Sequence, residues 1–409
     1  MRYFLLLFFS LPLWAQPGLD AGRLQPLDQL MQQAIAAGQT PGAVLLVGQG
    51  DKVVYHKAFG RFSTADSPAV QPDSIYDWAS LTKPLTASLI LRLQEQGKLS
   101  LSDPIGGYLP ELTDAAVKAL TIRQLLTHSS GLPPSFDLSS DWSAAEGFAA
   151  QLAALRLTQP SGQFVYSDIG FVLLGLIAER AAATPLHELM QHWVLKPLGM
   201  HDTRYLPLCQ PLCPLPAQIA RRLVPTALRT SHPAYQRLPA GVDQLQGIVH
   251  DPTAQRLNGV AGHAGLFGSA ADLALWLQML QQALQGQMTA VLSPASAQLM
   301  ISPHWSGTKQ GAVTRGLGLD ISSAFASVRG ELFPVGSVGH SGYTGTSFWL
   351  DPQSGTYLVL LSNRTYPNDS ASIRQLRARL ATVVAAAVTG VSLQQRQQAA
   401  RYYLQPMVE

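Results

Sequence analysis

Charge is scarce in this chain: only 13% of its 409 residues are Asp, Glu, Lys or Arg, and 28 basic against 25 acidic side chains leave a net charge of +3. So small an excess excludes the basic footprint of a nucleic-acid binder. Cysteine is scarcer still, with two residues, Cys209 and Cys213, in the stretch Leu206-Pro207-Leu208-Cys209-Gln210-Pro211-Leu212-Cys213-Pro214. No His neighbours them, so they make no zinc site. A possible disulfide between them in an oxidising compartment and two reduced thiols in a loop both stay open. No segment beyond the N-terminus is apolar for long enough to span a bilayer, and no internal repeat is visible. The sequence has no G-x-S-x-G, which removes support for the nucleophile elbow of an α/β-hydrolase.

The composition that is there, 47% hydrophobic, is that of a globular chain, and the length corresponds to about two or three domain-sized units. Arg2 followed by the apolar run Tyr3 to Leu13 and a cut site after Ala15 predicts a secretory signal peptide over residues 1–15. The run is well short of the roughly 20 residues a spanning helix needs, and no Cys follows it to carry a lipid. An exported protein, periplasmic or secreted, is expected, with retention of the leader as a membrane anchor as the alternative.

Leu27, Leu30, Met31 and Ile35 recur at helical spacing and predict a helix over Pro26–Ala37. Gly42 to Gly48 and Val53 to Gly60 read as a hairpin about Gln49-Gly50-Asp51. Near the other end, Val335 to His340, Thr346 to Leu350 and Thr356 to Ser362 are strand-like, and Ile373, Leu376, Leu380, Val383, Val384 and Ala387 mark one helix face. Between them the periodic segments are helical, as in Leu85 to Gln96, Ile122 to Leu126, Gly170 to Ala183 and Ala271 to Leu284. The fold class expected is α/β (α+β): an antiparallel sheet built from both chain ends and flanked by helices, with an all-helical subdomain inserted over roughly 85–330. One domain over 16–390 precedes a Gln-rich tail, 391–409, read as a solvated helix end.

The sharpest chemical feature is Ser80-Leu81-Thr82-Lys83-Pro84. A Ser and a Lys three apart share a helix face, so the amine reaches the hydroxyl. The hydroxyl needs a base to become a nucleophile, and a Lys serves as that base only when burial or nearby positive charge keeps it neutral. Pro84 puts the helix start near Ser80, whose backbone N–H then lies at the positive helix end, suited to an oxyanion. A second S-x-x-K, Ser306-Gly307-Thr308-Lys309, has no apolar helix after it and reads as chance.

Two further motifs follow in order: Tyr166-Ser167-Asp168 before an apolar helix, and His340-Ser341-Gly342 leading into Tyr343-Thr344-Gly345. Here the chain resembles the serine beta-lactamase and penicillin-binding-protein superfamily, in its class C beta-lactamase, D-peptidase and esterase branch. Leu101-Ser102-Asp103-Pro104, Thr121 to Leu132, Pro197-Leu198-Gly199-Met200, Gly262 to Phe267 and Gly316-Leu317-Gly318-Leu319 are similar to the family as well. The resemblance implies Ser80 as acylated nucleophile, Lys83 as general base and Tyr166 as proton relay. It implies an oxyanion hole from the backbone N–H groups of Ser80 and Tyr343, with Asp168, His340 and Gly342 at the substrate, and no metal or organic cofactor.

Two departures stand out. Asp168 occupies the place of an Asn that donates to substrate; an ionised Asp only accepts, and it is positioned to balance Lys83. His340 replaces the Lys of K-T-G, and a neutral imidazole attracts a carboxylate less. The expected activity is hydrolysis of small amides or esters through an acyl-enzyme, with D-amino-acid peptides of peptidoglycan among the substrates. A carboxylesterase with the same Ser80 and Lys83, and a non-catalytic protein that binds muropeptides or a partner, are the alternatives. His128 and His263 read as scaffold, His250-Asp251 with His263 as too irregular in spacing for a metal, and Asn363-Arg364 as a surface ion pair near the pocket.

Overall fold

In a computed structural model, residues 17–139, 142, 144–208, 215–231, 241–306, 313–323 and 325–404 are described. Leader residues 1–15, Cys209, Cys213 and residues 307–309 of the second S-x-x-K lie outside them. The main sheet has eight antiparallel strands: β1 (Gly42–Gln49), β2 (Lys52–Gly60), β3 (His304–Ser306), β4 (Val313–Arg315), β5 (Asp320–Ser322), β6 (Val338–Ser341), β7 (Ser347–Asp351) and β8 (Thr356–Ser362). Their spatial order is β2-β1-β8-β7-β6-β5-β4-β3, so β1 from the N-terminal part pairs with β8 from the C-terminal part. That is the sheet expected from both chain ends.

Both faces of this sheet are covered, and side-chain alternation shows it directly. Ala43, Leu45 and Val47 of β1 join one hydrophobic cluster, whereas Val44 and Leu46 join another. A strand buried on both faces reads as a continuous apolar run, as Ala43 to Val47 does. On the first face lie α1 (Pro26–Ala36) and the C-terminal helix Arg374–Ala386, through Leu27, Met31, Leu380 and Val384. On the second lie α2 (Thr82–Glu95) and the helix Ala270–Leu284. α2 is buried all round from Thr82 to Leu91, so its polar side chains need partners. Thr86 Oγ1 donates to Gly262 O at 2.8 Å, and Ser88 Oγ accepts from Trp276 Nε1 at 3.1 Å.

The inserted segment is not wholly helical, and it ends sooner than expected. Tyr76–Asp77, Arg204–Tyr205 and Leu266–Gly268 form a small sheet of their own. The main sheet resumes at His304 rather than near 330. Strands of two or three residues are too short to print a period-2 pattern, which explains both differences. Among the described residues no single helix is long and apolar enough to cross a membrane. The tail forms a helix over Leu393–Leu404.

Candidate active site

The approach to Ser80 is bent. Ala79 sits at φ +49°, a left-handed conformation that costs a non-glycine residue about 1 kcal/mol or more. The buried Asp77 carboxylate holds it there, accepting from the N–H of Ala79 at 2.8 Å and from that of His250 at 2.7 Å. Burial raises the Asp77 carboxyl to about 7 in spite of those two bonds. One tight turn, Ala79–Leu81, then runs into α2 and puts Ser80 and Lys83 on the same side. Lys83 Nζ donates to Ser80 Oγ at 2.9 Å and to the carbonyl of His263 at 3.2 Å.

Lys83 is fully buried, and its Nζ lies 2.7 Å from Asp168 Oδ1. Burial opposes its charge, but the Asp168 carboxylate and then Tyr166 outweigh burial and hold the Lys83 pKa above the ordinary lysine value. The sequence asks for a neutral Lys83; the structure contradicts this, because the residue standing in place of Asn is a carboxylate in contact with the amine. Resting Lys83 is an ammonium.

Asp168 begins α3 (Asp168–Ala182), capped by Ser167, whose Oγ accepts from Gly170 N at 3.4 Å and donates to Pro133 O at 2.6 Å. The Tyr166 ring faces Lys83 Nζ, 5.1 Å from its centroid, and stacks on His128 at 4.3 Å. His128 Nδ1 accepts from Ser167 N at 3.1 Å, and burial, then the Arg315 charge, keep its pKa far below the usual imidazole value. His128 therefore positions the Tyr-Ser-Asp segment as a neutral ring.

The facing wall is the end of β6 and the turn into β7. His340 is buried, and its Nδ1 lies 3.0 Å from Ser341 O, so that nitrogen carries the proton and donates. Burial, then Arg315, hold it neutral, which leaves Nε2 as an acceptor. Thr344 Oγ1 donates to Asp77 O at 2.8 Å and Thr346 Oγ1 to Trp78 O at 2.9 Å. These bonds fix the turn bearing Tyr343 to the segment leading into Ser80. Neither Ser80 N–H nor Tyr343 N–H donates to a protein acceptor among the described residues.

Ser80, Tyr166, His340, Gly342 and Tyr343 thus line one cavity of about 230 Å³, with Lys83 and Asp168 behind Ser80. The sequence missed four more lining residues, Arg315, Asp320, Phe325 and Arg377, and Arg364 lines the cavity as well. Arg364 pairs with Asp369 at 2.5 Å, as an ion pair was expected to form there, but its guanidinium also covers the Tyr343 ring at 4.7 Å. Arg377 reaches in from the C-terminal helix and donates to Gly342 O at 2.8 Å and Thr346 O at 2.7 Å. Nothing in the local pattern around Arg315, Asp320, Phe325 or Arg377 signals a pocket. His263 Nε2 lies 2.8 Å from Asp251 Oδ1, and its carbonyl takes the Lys83 bond noted above, so it belongs to the site's support.

Comparison with known proteins identifies the family and the fold. The sequence model of the Beta-lactamase family matches residues 27–383. An N-acetylmuramyl-L-alanine amidase of Bacillus subtilis (strain 168) is 29% identical over 367 residues, covering 84% of this chain and 81% of that protein. A putative D-alanyl-D-alanine carboxypeptidase of Escherichia coli (strain K12) is 29% identical over 374 residues, covering 85% and 84%. Among solved structures, EstCE1, a hydrolase with promiscuous acyltransferase activity, superposes with a TM-score of 0.66 at 24% identity, covering 89% of this chain and 99% of its own. A class C beta-lactamase in complex with cefoxitin has a TM-score of 0.68 at 20% identity, covering 90% and 99%. These structures share the fold. With the family match running through almost all of the sheet and the cavity, the chain belongs to the Beta-lactamase family and is a serine hydrolase of the beta-lactamase and penicillin-binding-protein superfamily.

Proposed function

We propose that this protein is an exported hydrolase that cleaves small amides or esters, D-amino-acid peptides of peptidoglycan among them, through an acyl-enzyme on Ser80. The reading rests above all on the 2.9 Å contact between Ser80 Oγ and Lys83 Nζ beside a cavity that Tyr166 also lines. In acylation, Ser80 Oγ attacks the carbonyl carbon as its proton passes to neutral Lys83, and the oxyanion gathers at the N–H groups of Ser80 and Tyr343. Tyr166 delivers a proton to the leaving group and then takes one from the water that releases the acyl group. The substrate range is tested by offering N-acyl-D-alanyl-D-alanine and short-chain nitrophenyl esters. Release of D-alanine supports the peptidase reading. Ester turnover alone supports a carboxylesterase, the reading favoured by a neutral His340 at the K-T-G position. Export is checked by sequencing the N-terminus of the mature protein, expected at Gln16.

The ion pair sets a pH dependence. Lys83 accepts a proton only after losing its own, so acylation rises as pH climbs through its raised pKa. Asp168→Asn removes the neighbouring negative charge, lowers that pKa, and is expected to move the limb about 1–2 pH units to lower pH. It also creates an amide donor, so benzylpenicillin should acylate Ser80 faster. An unmoved limb with unchanged penicillin reactivity would mean that Asp168 acts on neither Lys83 nor substrate.

Gly342 supplies a second test. A Cβ built there would lie 2.0 Å from Thr346 Oγ1 and 2.6 Å from Trp78 O, within the clamp that joins Tyr343 to the Ser80 segment. Gly342→Ala is expected to slow fluorophosphonate labelling of Ser80 about 100-fold, the order of effect of losing one oxyanion donor. Labelling at the wild-type rate would show that this turn takes no part in acylation.

A further inference from the structure

The turn that carries Tyr343 is closed by its own backbone and then gripped from outside. Gly345 N donates to Gly342 O at 3.2 Å, and Gly342 N donates to Thr346 O at 2.7 Å. Both acceptors take a second donor from a distant part of the chain. Arg377 Nη2, on the helix Arg374–Ala386, donates to Gly342 O at 2.8 Å and to Thr346 O at 2.7 Å. The side chain is half-buried, and its Nε is shut off from solvent with no hydrogen-bond partner among the described residues.

A guanidinium drawn out of water is usually paired with a carboxylate, because its charge is otherwise costly to bury. Asp369, on the loop before this helix, is taken by Arg364 and by the Tyr343 hydroxyl. Burial, then the neighbouring Arg364, lower the Arg377 pKa to about 9, so the side chain is charged at neutral pH. Two carbonyls could be held by a neutral donor, so it is the charge that needs an account. Gly342 O and the Tyr343 N–H belong to one peptide unit. That unit is planar and trans, so its N–H points away from its carbonyl. A cation on the oxygen holds the peptide in that orientation. It also draws electron density from nitrogen towards oxygen, which makes the N–H a stronger donor. Tyr343 lines the cavity, and its N–H donates to no protein acceptor among the described residues.

We propose that Arg377 is a positioning residue for acylation, which orients and strengthens the Tyr343 N–H through the Gly342–Tyr343 peptide. Its action is on the donor that receives the oxyanion, and it needs no contact with substrate. The inference rests on the acyl-enzyme reading, in which negative charge gathers at that N–H. Its second bond, to Thr346 O, fixes the far end of the same turn and keeps the guanidinium in place.

The test uses a fluorophosphonate, whose phosphoryl oxygen takes the place of the oxyanion once Ser80 is labelled. In the wild type the phosphorus-31 resonance of the adduct is expected to differ between folded and urea-unfolded protein, since the N–H donors polarise that oxygen only in the fold. Arg377→Met should label about 30-fold more slowly, short of the roughly 100-fold of a donor lost outright. Labelled to completion, it should also lose about half or more of the resonance displacement, the signature of a weakened donor. Arg377→Gln, a donor without charge, should resemble Arg377→Met, whereas Arg377→Lys should keep most of the rate and of the displacement. A displacement left whole in Arg377→Met, even with a lowered melting temperature, would show that Arg377 only ties the helix to the sheet, and would overturn the proposal. If Arg377→Met does not fold, Arg377→Gln against Arg377→Lys decides, and equal displacements in those two count against it. A wild-type resonance that is the same folded and unfolded would overturn it as well. No adduct on the wild type would sink the acyl-enzyme reading and this proposal with it, whereas an adduct indifferent to Arg377 sinks this proposal alone.

Discussion

Ser80→Ala protein is expected to give no mass adduct after incubation with a fluorophosphonate, while the wild type gains one phosphonyl group. Its ester hydrolysis should fall about 10⁴-fold or more, since loss of the nucleophile leaves only binding and oxyanion stabilisation. The fold should be untouched. Among the described residues the hydroxyl has one hydrogen-bond partner, Lys83, and that amine keeps the Asp168 carboxylate and the His263 carbonyl when the hydroxyl goes. An adduct on both proteins would place the reactive group elsewhere. An adduct on neither would favour a binding protein whose Lys83 stays locked as an ammonium by Asp168.

Lys83→Ala should slow acylation about 10³-fold at neutral pH, with the adduct still mapping to Ser80. The structural cost is separable from the catalytic one. Removing a fully buried ammonium strands the carboxylate of Asp168, whose side chain is 32% exposed, so water relieves part of the loss. Lys83→Met keeps most of the buried volume and should recover melting temperature without recovering rate. If both variants acylate at the wild-type rate, Lys83 is not the base, and Tyr166 or Asp168 takes that place.

How much of the site was legible follows from how far apart its parts lie in the chain. Ser80 and Lys83 are three residues apart on consecutive helical turns, and Tyr166 and Asp168 flank the helix cap Ser167, so local chain geometry keeps each pair together before any tertiary contact forms. The strands were legible where they are long and buried on both faces, as in Gly42–Gln49 and Thr356–Ser362. They were not where they are three residues long and partly polar, as in β4 and β5. Because β5 was missed, Arg315 and Asp320 had no reason to be paired, and the helix after β8 was read for its apolar face alone, which says nothing of Arg377.

By itself the sequence determined the order of the chemical motifs, the apolar helices that follow them, and a sheet drawn from both chain ends. Only the tertiary structure decided the charge state of the site. Bringing the Asp168 carboxylate to 2.7 Å from the fully buried Lys83 amine outweighs the burial that opposes its charge and turns a residue expected to be neutral into an ammonium. Burying His128 and His340, with Arg315 beside them, holds both rings neutral and leaves a cation facing the cavity. Helical periodicity is a property of neighbours in the chain, whereas a pKa depends on every charge and on the burial around it, and these come from strands and helices far apart in sequence.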